Sequence, residues 1–205
     1  MDIRQHNTQE RIVAGLIECL ENKPFRELEN KDIYNEAGIT YRTFFRYYSD
    51  KNELLNDLEK SLIDGLQKAL AKDRCSLINL KHEPDSDDIL TLADPAFKNT
   101  LQFCDKYRPS LRALVSKNGD ILFVRKIEAV AETEFKIRAK YLAGKQNLEI
   151  QDTMFIKIYV SQIVSLIENW LFFGDEISQE KLKKIIGRVQ IMSPFEILQI
   201  ESKMN

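Results

Sequence analysis

Arg42 and Arg46 stand one helical turn apart within Tyr34–Lys51, read as YNEAGITYRTFFRYYSDK. Their guanidinium groups are the strongest recognition chemistry in the chain, because a planar fork of donors suits phosphates and base edges alike. The residues around them say how they are presented. A helix over about Asn30 to Gly38 is expected to end at glycine, which supplies the left-handed backbone of a tight helix exit. Thr40 is placed to cap a short third helix through Tyr47. Two helices joined by a short glycine-containing turn make a helix-turn-helix, the device that lays a second helix in the major groove of double-stranded DNA. Ile33, Ala37, Ile39, Phe44 and Tyr48 are predicted to bury against a first helix. Tyr41, Arg42, Thr43, Phe45, Arg46 and Tyr47 are left for an outside partner.

The elements that must hold this segment are helical. Glycine and proline are scarce, and apolar residues recur at helical spacing. Asn7 with Glu10 predicts the start of a first helix, whose buried stripe is Ile12, Val13, Leu16, Ile17 and Leu20; Asn22-Lys23-Pro24 ends it. Asp50 and Glu53 open a long fourth helix carrying Leu54, Leu55, Leu58, Leu62 and Leu66. Residues 73–94 are polar and acidic and read as a connection. Pro95–Tyr107 and Pro109–Ser116 read as helices, Asn118-Gly119-Asp120 as a break, and Ile127, Ala131, Phe135, Ala139 and Leu142 as one face of a longer helix. A helix over Asp152–Phe173 is apolar nearly all round and needs cover on several sides. Ser178 caps the next, and Ser193-Pro194-Phe195-Glu196 opens a last short one. The fold class is therefore all-α.

Composition bounds the rest. The chain has 205 residues, 43% of them hydrophobic, enough for one or two compact domains. A formal charge of −2 gives no global basic signal and argues against a nonspecific DNA coat, so DNA binding must rest on a local cationic surface. Three widely spaced cysteines, Cys19, Cys75 and Cys104, and no apolar leader fit a reducing, cytoplasmic setting. His6 and His82 are the only histidines, and no metal-ligand spacing is present, so no metal or other cofactor is expected. Lys157, Gln162, Glu168 and Asn169 interrupt the longest apolar stretch, which argues against a membrane span. An enzyme such as a carboxylate-bridged metal oxidase would need paired Glu-x-x-His sequences, and the chain has none.

From Thr8 to Leu58 the sequence resembles the TetR family of bacterial transcriptional regulators. The resemblance is carried by a first helix, then Ile33, Ala37-Gly38-Ile39-Thr40, Thr43-Phe44-Phe45, Tyr47-Tyr48, Lys51 and Leu54. It implies an N-terminal helix-turn-helix domain joined by a long helix to a C-terminal helical domain that dimerises and often holds a small ligand. On that reading Thr40 offers its hydroxyl and neighbouring N–H groups to a phosphate. Tyr41, Arg42 and Thr43 meet base edges, with Arg42 best suited to guanine O6 and N7. Arg46 reaches a base or a phosphate, Tyr47 donates to a phosphate, and Lys51 holds the backbone electrostatically. Two positions depart from the pattern. Tyr34 stands where a small residue is usual, so the two helices must splay or the ring must lie sideways. Phe45 stands where tyrosine is frequent and cannot donate a hydrogen bond.

The implied organisation is a helix-turn-helix domain over 1–50 with its motif near 29–48, a connecting helix over 51–72, and a dimerisation and regulatory domain over 73–205. Ile163, Ile167, Trp170, Leu182, Ile185, Ile186 and Val189 are the expected interface of a homodimer, which would set two recognition helices on a pseudopalindromic operator. Phe97, Leu101, Cys104, Tyr107, Phe123, Phe135, Tyr141 and Tyr159 are candidates for a pocket taking a small apolar or aromatic effector. The function expected is a dimeric repressor released by an effector. The competing expectation is a helical interaction protein or co-regulator whose helix-turn-helix does not bind DNA, favoured by the acidic balance and the departures at Tyr34 and Phe45.

Overall fold

The computed structural model describes residues 3–77, 86–143, 150–173 and 176–191. Among them every regular element is helical: α1 (Ile3–Asn22), a 3-10 turn (Phe25–Glu27), α2 (Asn30–Glu36), α3 (Tyr41–Tyr47), α4 (Lys51–Leu77), α5 (Ser86–Lys106), α6 (Arg108–Val115), α7 (Ile121–Ala143), α8 (Ile150–Phe173) and α9 (Gln179–Val189). The all-α reading holds. The chain divides into two compact units, Met1–Leu66 with Cys104–Val130, and Gln67–Phe103 with Ala131–Asn205. The boundaries fall inside α4, α5 and α7.

The smaller-numbered unit is built on the stripe of α1. Ile12, Leu16 and Leu20 are buried and meet α2 and α6, with Ile33, Phe44, Leu54, Leu114 and Phe123 completing the core. Each such side chain contributes about 1.5–3 kcal/mol by leaving water. Gly15 sets the α1–α2 distance, because a Cβ there would lie 2.8–2.9 Å from Ala37 and from the Ile33 carbonyl. Asn118 closes the end of α1: its Nδ2 donates to the Leu20 carbonyl at 2.9 Å, and its own carbonyl accepts from Phe25 N at 2.7 Å.

In the second unit Leu101, Val160, Ile163, Trp170, Leu182 and Ile186 form the core. Trp170 Nε1 donates to the Ile177 carbonyl at 2.7 Å, so the ring enters the core without an orphaned donor. The unit also contains a buried polar network. Asp73 is wholly buried and accepts four hydrogen bonds, from Asn99 N, Asn99 Nδ2, Thr100 N and Thr100 Oγ1, at 2.6–2.9 Å. Beside it Arg138 donates to Glu134 and to the carbonyls of Ala96 and Leu70, and Arg74 donates to the other Glu134 oxygen.

Several elements differ from the sequence expectation. α1 begins at Ile3, so Asn7 lies inside the helix rather than capping it, and an His6–Glu10 contact at 3.1 Å spans that turn. Residues 73–77 continue α4, and α5 begins at Ser86, so the supposed connection is helical at both ends. Pro95 lies inside α5 instead of opening it. Proline costs the helix one ladder donor without ending it, and farther along α5 Asp73 accepts from Asn99 N and Thr100 N. The expected helix at Ser193-Pro194-Phe195-Glu196 lies outside the described residues.

Candidate nucleic-acid interface

The recognition segment is fixed by short-range polar contacts, each traceable to a residue type. At the start of α2, Glu29 N donates to Asp32 Oδ2 at 2.9 Å, and Lys23 Nζ meets the same oxygen at 3.1 Å. The Glu29 N–H, reinforced by Lys23, holds the Asp32 carboxyl below its ordinary pKa. α2 ends as expected at Gly38, the one positive-φ residue among those described, at φ 60°. Arg11 Nη2 reaches from α1 to the carbonyls of Ala37 and Gly38, both at 2.8 Å, and so clamps the turn. Thr40 caps α3: its hydroxyl accepts from Thr43 N at 3.2 Å and bonds with the Thr43 hydroxyl at 3.0 Å.

The face of α3 is sorted by burial. Phe44 and Tyr48 are buried, and Tyr48 donates to Asp57 Oδ2 at 3.3 Å; burial and that carboxylate push the phenol up to about 12. Tyr41, Arg42 and Arg46 are exposed, and Thr43, Phe45 and Tyr47 are half-buried. Arg42 makes no hydrogen bond or ion pair among the described residues. Arg46 lies over the Tyr47 ring, its Cζ 5.1 Å from the centroid, with Nη2 3.5 Å from the Tyr47 hydroxyl. Tyr34 resolves its misfit by lying sideways: its ring meets Tyr41 edge-on at 6.2 Å and Phe44 at 6.2 Å. Together Tyr34, Tyr41 and Phe45 wall an open cleft of about 450 Å³ that also takes in Asn30, Lys31 and Asn52.

Lys51 has a different task from the phosphate contact expected of it. Its Nζ donates to the carbonyls of Phe25 and Leu28 at 2.8 and 2.6 Å, lies 3.4 Å from that of Arg26, and sits 4.7 Å from the Phe25 ring centroid. An ammonium has three donors, and here all three have acceptors. Asn30 Oδ1 in turn accepts from Lys51 N at 2.7 Å, so the 3-10 turn and α2 are tied to α4 in both directions. Asp50 caps α4 through Asn52 N and Glu53 N, and Glu53 accepts from Ser49 N at 2.6 Å. These backbone donors hold both carboxyls below their usual range. Arg11, Gly15, Asn30 and Asp32 were missed in the sequence; the isolated glycine inside an otherwise helical stripe was the available signal for close packing.

The other expected sites fall partly in each unit. Phe97, Leu101, Phe135 and Tyr159 fall in the second unit, where only the last two rings meet, at 4.8 Å. Burial raises the Tyr159 phenol to about 12, and its hydroxyl bonds Gln190 at 3.1 Å. Cys104, Tyr107 and Phe123 fall in the first unit, and the Tyr141 side chain lies outside what is described. Of the expected dimer residues, Ile163, Trp170, Leu182 and Ile186 are buried within the chain itself, and Ile167, Ile185 and Val189 are half-buried. The first four serve its own core. The large apolar residues that α8 leaves exposed are Met154, Phe155, Ile158, Phe172 and Phe173. Among the described residues no three potential metal ligands gather, and no helix is long and apolar enough to cross a membrane.

An all-α chain with a capped, glycine-hinged pair of helices presenting two exposed arginines is a helix-turn-helix protein. Residues 12–58 match the model of the bacterial regulatory proteins, tetR family. A TetR-family transcriptional regulator from Haemophilus influenzae RD superposes with a TM-score of 0.54 at 14% identity, covering 90% of this chain and 95% of that one. It shares the fold. A TetR transcriptional regulator from Streptococcus agalactiae 2603V aligns over 90% of this chain and 97% of its own at 16% identity, with a TM-score of 0.49. No curated protein matches.

Proposed function

We propose that this protein is a homodimeric transcriptional repressor that binds a pseudopalindromic operator and is released by an effector. The observation that carries the reading is α3 itself: it is capped by Thr40, fixed behind by Gly38 and Arg11, and leaves Arg42 and Arg46 exposed side by side. Arg42 takes a guanine, Arg46 a base or a phosphate, and Tyr47 a phosphate, with Thr40 and Thr43 at the helix start. Lys51 contributes by shaping the domain rather than by touching DNA. Residues 1–50 read the operator, 51–72 connect, and 73–205 dimerise and regulate, all in the cytoplasm. The reading contains no catalytic role.

Dimerisation is supported by α8. Met154, Phe155 and Ile158 are 62%, 70% and 64% exposed over two adjoining turns, a cost in water that a second copy would remove. An effector would bind the second unit, where Phe97, Leu101, Phe135 and Tyr159 are the candidates. By favouring a separation of recognition helices that misses successive major grooves, it would lower operator affinity.

The test is selection of bound fragments from genomic DNA, with and without metabolite extract, followed by gel shift. Twofold-symmetric fragments, weakened by Arg42→Ala and Arg46→Ala, are expected. Failure to enrich any sequence would favour the interaction-protein reading. Phe155→Glu is expected to halve the mass seen in sedimentation; an unchanged mass would remove α8 from the interface.

A further inference from the structure

Tyr41 is 63% exposed, yet its ring is not loose. Phe45 stacks against it at 4.4 Å with the planes at 43°, and Tyr34 meets it edge-on at 6.2 Å and 85°. Phe45 in turn packs on wholly buried Phe44 at 5.3 Å, and Phe44 on Tyr48 at 6.2 Å. A continuous line of rings thus runs from the core to solvent, and the outermost ring is held in place before any partner arrives. Ordering of an interface aromatic normally costs binding energy, and here that cost is already met by folding.

From these contacts we propose that the Tyr34–Tyr41–Phe45 cluster reads the C5-methyl groups of thymine, so that the operator half-site carries thymine beside the guanine taken by Arg42. The inference rests on the DNA-binding reading above and adds the base class. In the major groove every base edge presents donors or acceptors, and the thymine methyl is the one apolar group. An apolar ring surface has only that group as its complement. Phe45 has no hydroxyl, so its sole means of recognition is apolar contact. Tyr41 and Phe45 are one helical turn apart, about 5.4 Å, which at about 3.4 Å per base pair covers one to two steps. One thymine is therefore expected against Tyr41, and a second within two steps against Phe45. Arg42 and Arg46 supply the hydrogen bonds on the adjoining face.

The experiment uses the full chain and the highest-affinity duplex selected from a random pool. Each thymine of a half-site is replaced in turn by deoxyuridine, which removes only the methyl and leaves pairing intact. Binding is followed by fluorescence anisotropy. Loss of one buried methyl is worth about fourfold in affinity, and about the square of that when both half-sites are changed. One or two neighbouring thymines should show this loss in the wild type. Tyr41→Ala, an exposed position whose folding is checked by circular dichroism, should make the thymine and deoxyuridine duplexes equivalent at one of them; Tyr41→Phe should retain the difference. Sequence-specific binding with no deoxyuridine effect at any position, or a half-site without thymine, would overturn the proposal while leaving the DNA reading intact. Absence of any sequence preference would overturn both.

Discussion

The recognition segment and the second unit hold themselves together by different means. From Glu29 to Glu53 the helix ends are set by contacts within five positions, Asp32 to Glu29, Thr43 to Thr40, Glu53 to Ser49 and Asn52 to Asp50, and Arg11 and Lys51 then tie them to their surroundings. In the second unit the buried polar network spans tens of residues. Asp73 serves α5, Arg138 reaches Ala96 and Leu70, Arg74 reaches Glu134, and Lys183 reaches Asp94 at 2.6 Å. Local bonds return the loop-closure cost at once and survive small shifts of neighbouring helices. Long-range buried networks fix one helix against another and fail together. A reading head that must keep its shape on DNA suits the first kind.

The sharpest way to break this contrast is at Asp73. Asp73→Ala would remove the acceptor of the Asn99 and Thr100 N–H groups and would strand the Asn99 amide and the Thr100 hydroxyl. Unsatisfied buried donors cost about 1–3 kcal/mol each, so a loss of at least about 3 kcal/mol is expected in urea unfolding followed by circular dichroism. A near-neutral result would mean that the network is not what secures α5. Within the motif a single change should cost less. Gly38→Ala forces a side chain into φ 60°, worth about 1–2 kcal/mol, measured in the same way; a stabilised variant would refute the turn assignment.

The smallest effect concerns pH and separates the motif from the helix that leaves it. Asp32, Asp50 and Glu53 have lowered pKa values, so their contribution is present above the unfolded values and is lost as pH falls through the folded ones. Glu59 on α4 is the reverse. Burial raises its carboxyl despite Lys126 Nζ at 2.5 Å, with Asp120 also raising it; its Oε1 has no protein partner. Folded Glu59 holds its proton to higher pH than the unfolded chain does, so its contribution declines as pH rises from about its ordinary value through the raised one. Glu59→Gln is expected to flatten that decline in a pH series of thermal melts, leaving the acid-side loss in place. An unaltered series would show that Glu59 does not titrate in this window.

What was legible in the sequence follows the same division. Gly38, Thr40 and Asp50 act on their own neighbours, so their chemistry could be read directly from spacing. Asn7 misled because a good capping residue does not stop a helix whose preceding residues can also be helical. Pro95 misled because proline favours the first turn of a helix, yet an interior one costs only a ladder bond and does not stop α5. The α8 interface misled for a third reason. A helix apolar nearly all round carries no periodicity to say which face meets its own chain, and Trp170 and Ile163 turned out to be core while Phe155 and Ile158 are exposed. Lys51 was placed at the correct end of α4, but nothing local revealed three waiting carbonyls.

The central claim is that the exposed cations of α3 read bases. The most direct measurement is the affinity of wild type and Arg42→Ala for the selected duplex and for a scrambled duplex of equal length, at one fixed salt concentration. Loss of a bidentate base contact removes about 1–3 kcal/mol of discrimination. The account therefore predicts that Arg42→Ala weakens binding to the selected duplex about fivefold to 150-fold, with little change on the scrambled one. Equal weakening on both would make Arg42 a phosphate contact only, and equal wild-type affinity for both duplexes would contradict the claim.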